Sequence, residues 1–136
     1  MRDIRELIPQ RPPILLVDGL ESVEGDTAVG TLTVRADNCF TDEDGLLAEA
    51  GVVEHIAQSA SALAGYKAVE AGATTPPVGY IGEVKKFSLH RLPRVGETLH
   101  TTVNFGMEVA GVTLLSAETR IGEEMIAATQ MKISMT

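Results

Sequence analysis

The sequence predicts an α+β fold in which one long helix packs on a curved antiparallel sheet. Three observations predict it. Leu46 to Ala71 carries the longest helical periodicity in the chain. The segments after it alternate in polarity at a spacing of two, with short turns between them. The helical stretch is also rich in Ala, Gly and Ser, whose small side chains let a helix lie close against a sheet. With 136 residues the chain has the size of a single domain, 1–136, with a real core.

Asp3 to Leu7 has room for one helical turn before Pro9, and Pro9, Pro12 and Pro13 forbid a regular helix there. The apolar run Ile14-Leu15-Leu16-Val17 reads as a short strand, and Asp18-Gly19 as a turn. Asp26 to Arg35 reads as a strand, with Ala28, Gly30, Leu32 and Val34 on one side and Thr27, Val29, Thr31 and Thr33 on the other. In the helix, Leu46, Ala50, Val53, Ala57, Ala60 and Ala64 recur at steps of three and four and predict one apolar face. Asp42, Glu43, Asp44 and Glu49 crowd its start, which suits the positive end of the helix dipole, and Gly72 and Pro76-Pro77 end it. Val78 to Leu89, Glu97 to Phe105, Val112 to Arg120 and Met125 to Met135 are four further strands, the last three a meander. Such a sheet has open edges, and a dimer joining edge strands would cover them.

The chain is 44% apolar and 22% charged, ordinary for a soluble globular protein. A net charge of -8 argues against general nucleic-acid binding. The single cysteine, Cys39, cannot form an internal disulfide, and no run has the apolar length of a signal peptide or a membrane span. These features predict a cytoplasmic protein that does not bind membranes. Against the acidic background, residues 85–94 hold Lys85, Lys86, Arg91 and Arg94 with His90 and no acid. That strip is either a solvated strand end or a docking site for an acidic partner or a phosphate.

Glu54 and His55 adjoin in sequence, but adjacent helical residues stand about 100° apart. Glu54 shares a stripe with Gln58, Ser61 and Gly65, polar or small amid apolar neighbours. It reads as a carboxylate either in a site or satisfied by backbone or by Gln58 at a dimer interface. His55 shares its stripe with Gly51, Ser59, Ala62 and Tyr66. It reads as a structural imidazole or as a base reaching the site from another angle. The histidines, Cys39 and the acids show no metal-ligand spacing, so no metal is predicted.

Three stretches carry a resemblance. They are Ile8-Pro9-Gln10-Arg11-Pro12-Pro13-Ile14-Leu15-Leu16-Val17-Asp18, then Glu54-His55-Ile56-Ala57-Gln58, then Val78 to Phe87 with Pro93-Arg94-Val95-Gly96-Glu97. In this order the chain resembles the β-hydroxyacyl-acyl-carrier-protein dehydratases of fatty acid synthesis, which have the hotdog fold. In that family a histidine removes a proton alpha to the thioester, and a helix carboxylic acid protonates the departing hydroxyl. The resemblance makes Glu54 the acid and Gln58 its orienting neighbour, and it places Phe40, Asn38 and Gly82 near the substrate. It implies no resident cofactor, since the phosphopantetheine arm arrives with acyl carrier protein or CoA. Lys85, Lys86, Arg91 and Arg94 would then meet the acidic carrier, and the assembly would be a homodimer or a heterodimer with another hotdog subunit.

One departure matters. The family's histidine lies in a His-Phe-Pro-Gly segment before the helix. The corresponding stretch here is Asn38-Cys39-Phe40-Thr41-Asp42-Glu43-Asp44-Gly45, and alignment on Glu54 places Phe40 where the base would stand. In this respect the chain resembles the accessory dehydratase-like proteins of aryl-polyene-type pathways. Three readings follow: a 3-hydroxyacyl-carrier-protein dehydratase with His55 as a substitute base, an accessory subunit pairing with an active dehydratase, or a thioesterase in which Glu54 directs water.

Overall fold

The computed structural model describes residues 2–135. A 3-10 turn, Ile4–Glu6, leads into strands β1 (Gly19–Glu24) and β2 (Thr27–Thr33), then the helix α1 (Glu49–Glu70). Strands β3 (Gly79–Leu89), β4 (Thr98–Val109), β5 (Val112–Ile121) and β6 (Glu124–Met135) follow. All six strands form one antiparallel sheet in the order β1-β2-β4-β5-β6-β3, so β1 and β3 are its edges.

Alternation decides which side of each strand is buried. Ala28, Gly30 and Leu32 of β2 face inward, as do Leu99, Thr101 and Val103 of β4 and Leu115, Ala117 and Thr119 of β5. Strand β6 departs once. Its register with β5 shifts between Thr119 and Arg120, and Ile126 and Ala127 are both buried. A bulge of this kind bends the sheet around the helix.

Two expectations are corrected. The run Ile14–Val17 joins no strand ladder, and the first strand is Gly19–Glu24, where Asp18-Gly19 suggested a turn. Asp18 opens that strand: its N–H donates to Thr31 O, and its carboxylate accepts from Thr33 N–H. The helix also starts at Glu49, later than Leu46. Leu46 bridges to Arg94 and Leu47 to Thr41, which holds both residues extended.

The helix is not simply amphipathic. Every residue from His55 to Leu63 is buried. The sheet covers one side, where Val52, Ile56 and Ala60 join Leu99, Val103, Ile126 and Met131. The N-terminal segment covers another, packing Ile4, Leu7 and Ile8 with Ala62 and Leu63. Small residues make the enclosure possible. A Cβ on Gly65 would run into the Leu7 carbonyl oxygen, and one on Gly30 into Ser59. The apolar burial that results is the main stabilising contribution to this layer.

Candidate active site

Glu54 lies one turn into α1, half-buried, with Gln58 one turn further on. The Gln58 amide uses both of its N–H donors and its oxygen. Its Nε2 donates to Glu54 Oε1 at 2.9 Å and to Ile14 O at 2.8 Å, and its Oε1 accepts from Leu16 N–H at 2.6 Å. The N–H of Leu16 and the carbonyl of Ile14 fix which end of the amide is which. Gln58 therefore presents a donor to Glu54 and pins Oε1. Oε2 takes no part in these bonds.

His55 is sealed in the core, 0% exposed. Its Nδ1 is 2.7 Å from Leu16 O, a carbonyl that can only accept, so the proton sits on Nδ1. Nε2 then accepts from Thr101 Oγ1 at 2.9 Å, and Thr101 in turn accepts from Thr119 Oγ1 at 2.7 Å. Burial pushes the imidazole pKa down to about 4, outweighing the Leu16 carbonyl, which raises it. His55 is thus neutral and fully bonded, and no open face remains to take a substrate proton. Its role as a substitute base is corrected accordingly. It and Gln58 hold opposite sides of Leu16, so the run that lacks a strand ladder is tied down by helix side chains.

A cleft of about 220 Å³ opens beside Glu54. Gln58 and Ser61 of the helix, Gln10 of the N-terminal segment, and Tyr80 and Ile81 of β3 are among its walls. Gly79 allows β3 to pass close to the helix here, since a Cβ on it would stand 2.7 Å from Ser61 Oγ. The predicted stripe is therefore divided. Glu54, Gln58 and Ser61 face the cleft, while Gly65 packs on Leu7.

The other predicted site residues fall around this cleft rather than in it. Phe40 packs on the main core, and Gly51 approaches it closely. Asn38 Oδ1 accepts from Phe40 N–H, and Asn38 lines a separate cleft with Pro12, Pro13 and Arg35. Gly82 follows Ile81 on β3, at a register shift. Cys39 donates to Pro13 O at 3.0 Å. His100 lies 3.3 Å from Glu21, and His90 follows β3 and bonds through its backbone to Ile126. Neither histidine lines the cleft.

The basic strip is also divided. Arg91 forks onto Glu97 at 2.9 Å through each terminal nitrogen and reaches Glu124 at 3.0 Å. The Arg91 guanidinium holds the Glu97 carboxyl below the usual range. An arginine so engaged is a brace between β6 and the β3–β4 turn, not a free docking cation. Lys85 pairs with Glu83 at 3.5 Å. Arg94 bonds the Glu97 carboxylate through its backbone N–H, and neither the Lys86 ammonium nor the Arg94 guanidinium is in a salt bridge among the described residues. Lys86 sits in a bulge of β3 with φ 50 and lines a polar groove with Thr102, Asn104, Ser116 and Gln130. Among the described residues no three of His, Cys, Asp and Glu gather as a metal site would require. No described helix is long and apolar enough to cross a membrane.

The family model described as ApeP dehydratase matches residues 2–136. The 3-hydroxyacyl-[acyl-carrier-protein] dehydratase FabZ of Caldanaerobacter subterraneus is 26% identical over 139 residues, covering 98% of this chain and 96% of that protein. Its namesake from Thermoanaerobacter pseudethanolicus is 26% identical over 140 residues, covering 99% and 96%. Among solved structures, the dehydratase heterocomplex ApeI:P from Xenorhabdus doucetiae superposes with a TM-score of 0.92 at 15% identity, over 100% of this chain and 92% of that one. The PaaI protein of the E. coli phenylacetic acid degradation operon gives 0.67 at 13% identity, over 85% and 81%. At these identities the structural likenesses speak for the fold, which is the hotdog fold.

Proposed function

This chain belongs to the ApeP-like dehydratase family, and on that premise we propose that it is the acid-bearing subunit of a two-chain 3-hydroxyacyl-thioester dehydratase. One observation carries the proposal. Glu54 is held at a cleft by Gln58 with one oxygen to spare, while none of this chain's imidazoles lines that cleft. Dehydration needs both a base at the alpha carbon and an acid at the hydroxyl. This chain offers the second and has Phe40 where the resemblance would put the first.

The missing base then comes from another subunit. The cleft is walled by β3, an edge strand that among the described residues is bonded only to β6. Tyr80, Ile81 and Val84 leave that strand with exposed apolar side chains. A second hotdog chain pairing along this edge would cover them and bring its own residues to the mouth of the cleft. The heterocomplex among the structural neighbours supports a pairing of unlike hotdog subunits.

In the assembled site the partner's imidazole takes the alpha proton. Electrons shift to form the carbon–carbon double bond, the bond from C3 to its hydroxyl breaks, and Glu54 Oε2 gives its proton to the departing oxygen. The products are water and a 2-enoyl thioester, and the site resets when the imidazolium proton returns to the carboxylate. No metal or organic cofactor enters the scheme, and the phosphopantetheine arm is part of the substrate. For a carrier-borne substrate, Lys86 and Arg94 are the cations free to meet an acidic carrier.

Incubation with a 3-hydroxyacyl carrier protein tests the proposal. The chain alone is expected to give no enoyl product, and a mixture with a histidine-bearing hotdog subunit is expected to give it. Turnover by this chain alone would overturn the two-chain reading. Release of free acid with no enoyl would favour the thioesterase instead.

A further inference from the structure

Gln10 stands on the wall of the same cleft as Glu54, Gln58 and Ser61. Its Oε1 is shut off from water and has no hydrogen-bond partner. Among the described residues only Ser59 Oγ is in the same condition, and Ser59 faces Gly30 inside the core. A buried acceptor left unmatched is costly to the fold, and such groups in native structures call for an explanation. Its location gives one. The last torsion of a glutamine side chain is broad and soft, so a small turn brings Oε1 from beneath the wall to the cleft.

We infer that Gln10 is the specificity-determining acceptor for the 3-hydroxyl of the substrate, so that the site selects hydroxyacyl thioesters over their 3-oxo and 2-enoyl counterparts. The inference rests on the dehydratase reading above. A hydroxyl offers lone pairs and one O–H donor. Glu54 in its acid form donates to a lone pair. The O–H then needs an acceptor, and the Gln58 oxygen is directed away at Leu16 N–H on a side chain that is itself buried. Gln10 Oε1 is the unmatched acceptor on that wall. A 3-oxo group would set a second acceptor against it, and an enoyl product has no oxygen at that carbon. Sites that bond a hydroxyl reject analogues lacking it for this reason.

The test compares binding of 3-hydroxyacyl, 3-oxoacyl and 2-enoyl pantetheine thioesters of one chain length. It uses the complex with a histidine-bearing hotdog partner, with Glu54→Gln added to stop interconversion. Gln10→Met is expected to weaken hydroxyacyl binding about tenfold and to leave enoyl binding within about twofold, with the melting temperature unchanged or raised. Equal weakening for all three thioesters, or an unchanged preference, would overturn the inference while leaving the dehydratase reading intact. If the parent complex binds none of the three, both fail together.

Discussion

Glu54→Gln is expected to lower dehydration by the assembled enzyme by about 10²–10⁴-fold, the usual contribution of a positioned general acid. The substitution is nearly isosteric. The new amide oxygen can still accept from Gln58 Nε2, which holds Glu54 Oε1 at 2.9 Å in the native chain. Cleft shape and the bonds to Ile14 and Leu16 should survive. What is lost is a proton that can leave. An amide can hydrogen-bond the hydroxyl but cannot protonate it as the bond from C3 breaks. The loss should therefore fall on kcat with little change in KM. Steady-state kinetics with a 3-hydroxyacyl carrier protein would show it, and a kcat within about twofold of the parent would remove Glu54 from the chemistry.

His55→Ala is expected to be the most destabilising single substitution near the site, by about 3–5 kcal/mol. It would leave Leu16 O without its donor and free Thr101 Oγ1 of its acceptor, both inside the core, and it would open a cavity beneath them. That is a large share of the stability of a domain. The pH dependence has a definite sign. The folded pKa lies at about 4, below the ordinary imidazole value of 6.5, because burial disfavours the charged ring. Between those values the unfolded chain binds the proton more readily. The stability tied to neutral His55 is thus fully present above pH 6.5 and is lost as the pH falls towards 4. The shift corresponds to about 3 kcal/mol across that window. His55→Asn can keep a donor near Leu16 but does not titrate. Urea denaturation from pH 4 to 7 should give a shallower slope for the variant, and equal slopes would contradict the assignment. Where the variant folds, turnover by the complex should persist, since His55 is not the base.

Much of the fold is legible in the sequence because its periods are clean. Strand β2, the first half of β4 and most of β5 and β6 alternate, and the meander turns are short. Strand β1 is not legible: Gly-Leu-Glu-Ser-Val-Glu alternates poorly, buries little at the sheet edge, and follows an Asp-Gly pair that mimics a turn. The enclosure of the helix is hidden for another reason. Ala, Ser and Gly do not mark a buried side by their polarity, and the covering segment Ile4–Ile8 meets the helix only through tertiary packing.

The candidate site was half legible. Glu54 and Gln58 are four residues apart on one helix, and that spacing is enough to pair them. The separation of His55 from Glu54 follows from helix geometry, but its partners Leu16 and Thr101 come from distant segments. Arg91 looked free because the nearest acids lie beyond the basic strip, yet Glu97 is only six residues away and closes the turn. No pattern singles out Gln10 as facing Glu54, since that proximity arises only when the proline-rich segment folds over the helix.

The central claim is that this chain contributes the acid and its partner the base to a shared site. It is tested most directly in the two-chain complex by removing the carboxylates one subunit at a time. Glu54→Gln in this chain should lower enoyl formation by about 10²–10⁴-fold. Replacing the partner's own helix carboxylate by its amide should leave the rate nearly unchanged, because that group would face Phe40 and no histidine. Activity that survives Glu54→Gln but disappears with the partner's substitution would contradict the account and make this chain a passive companion.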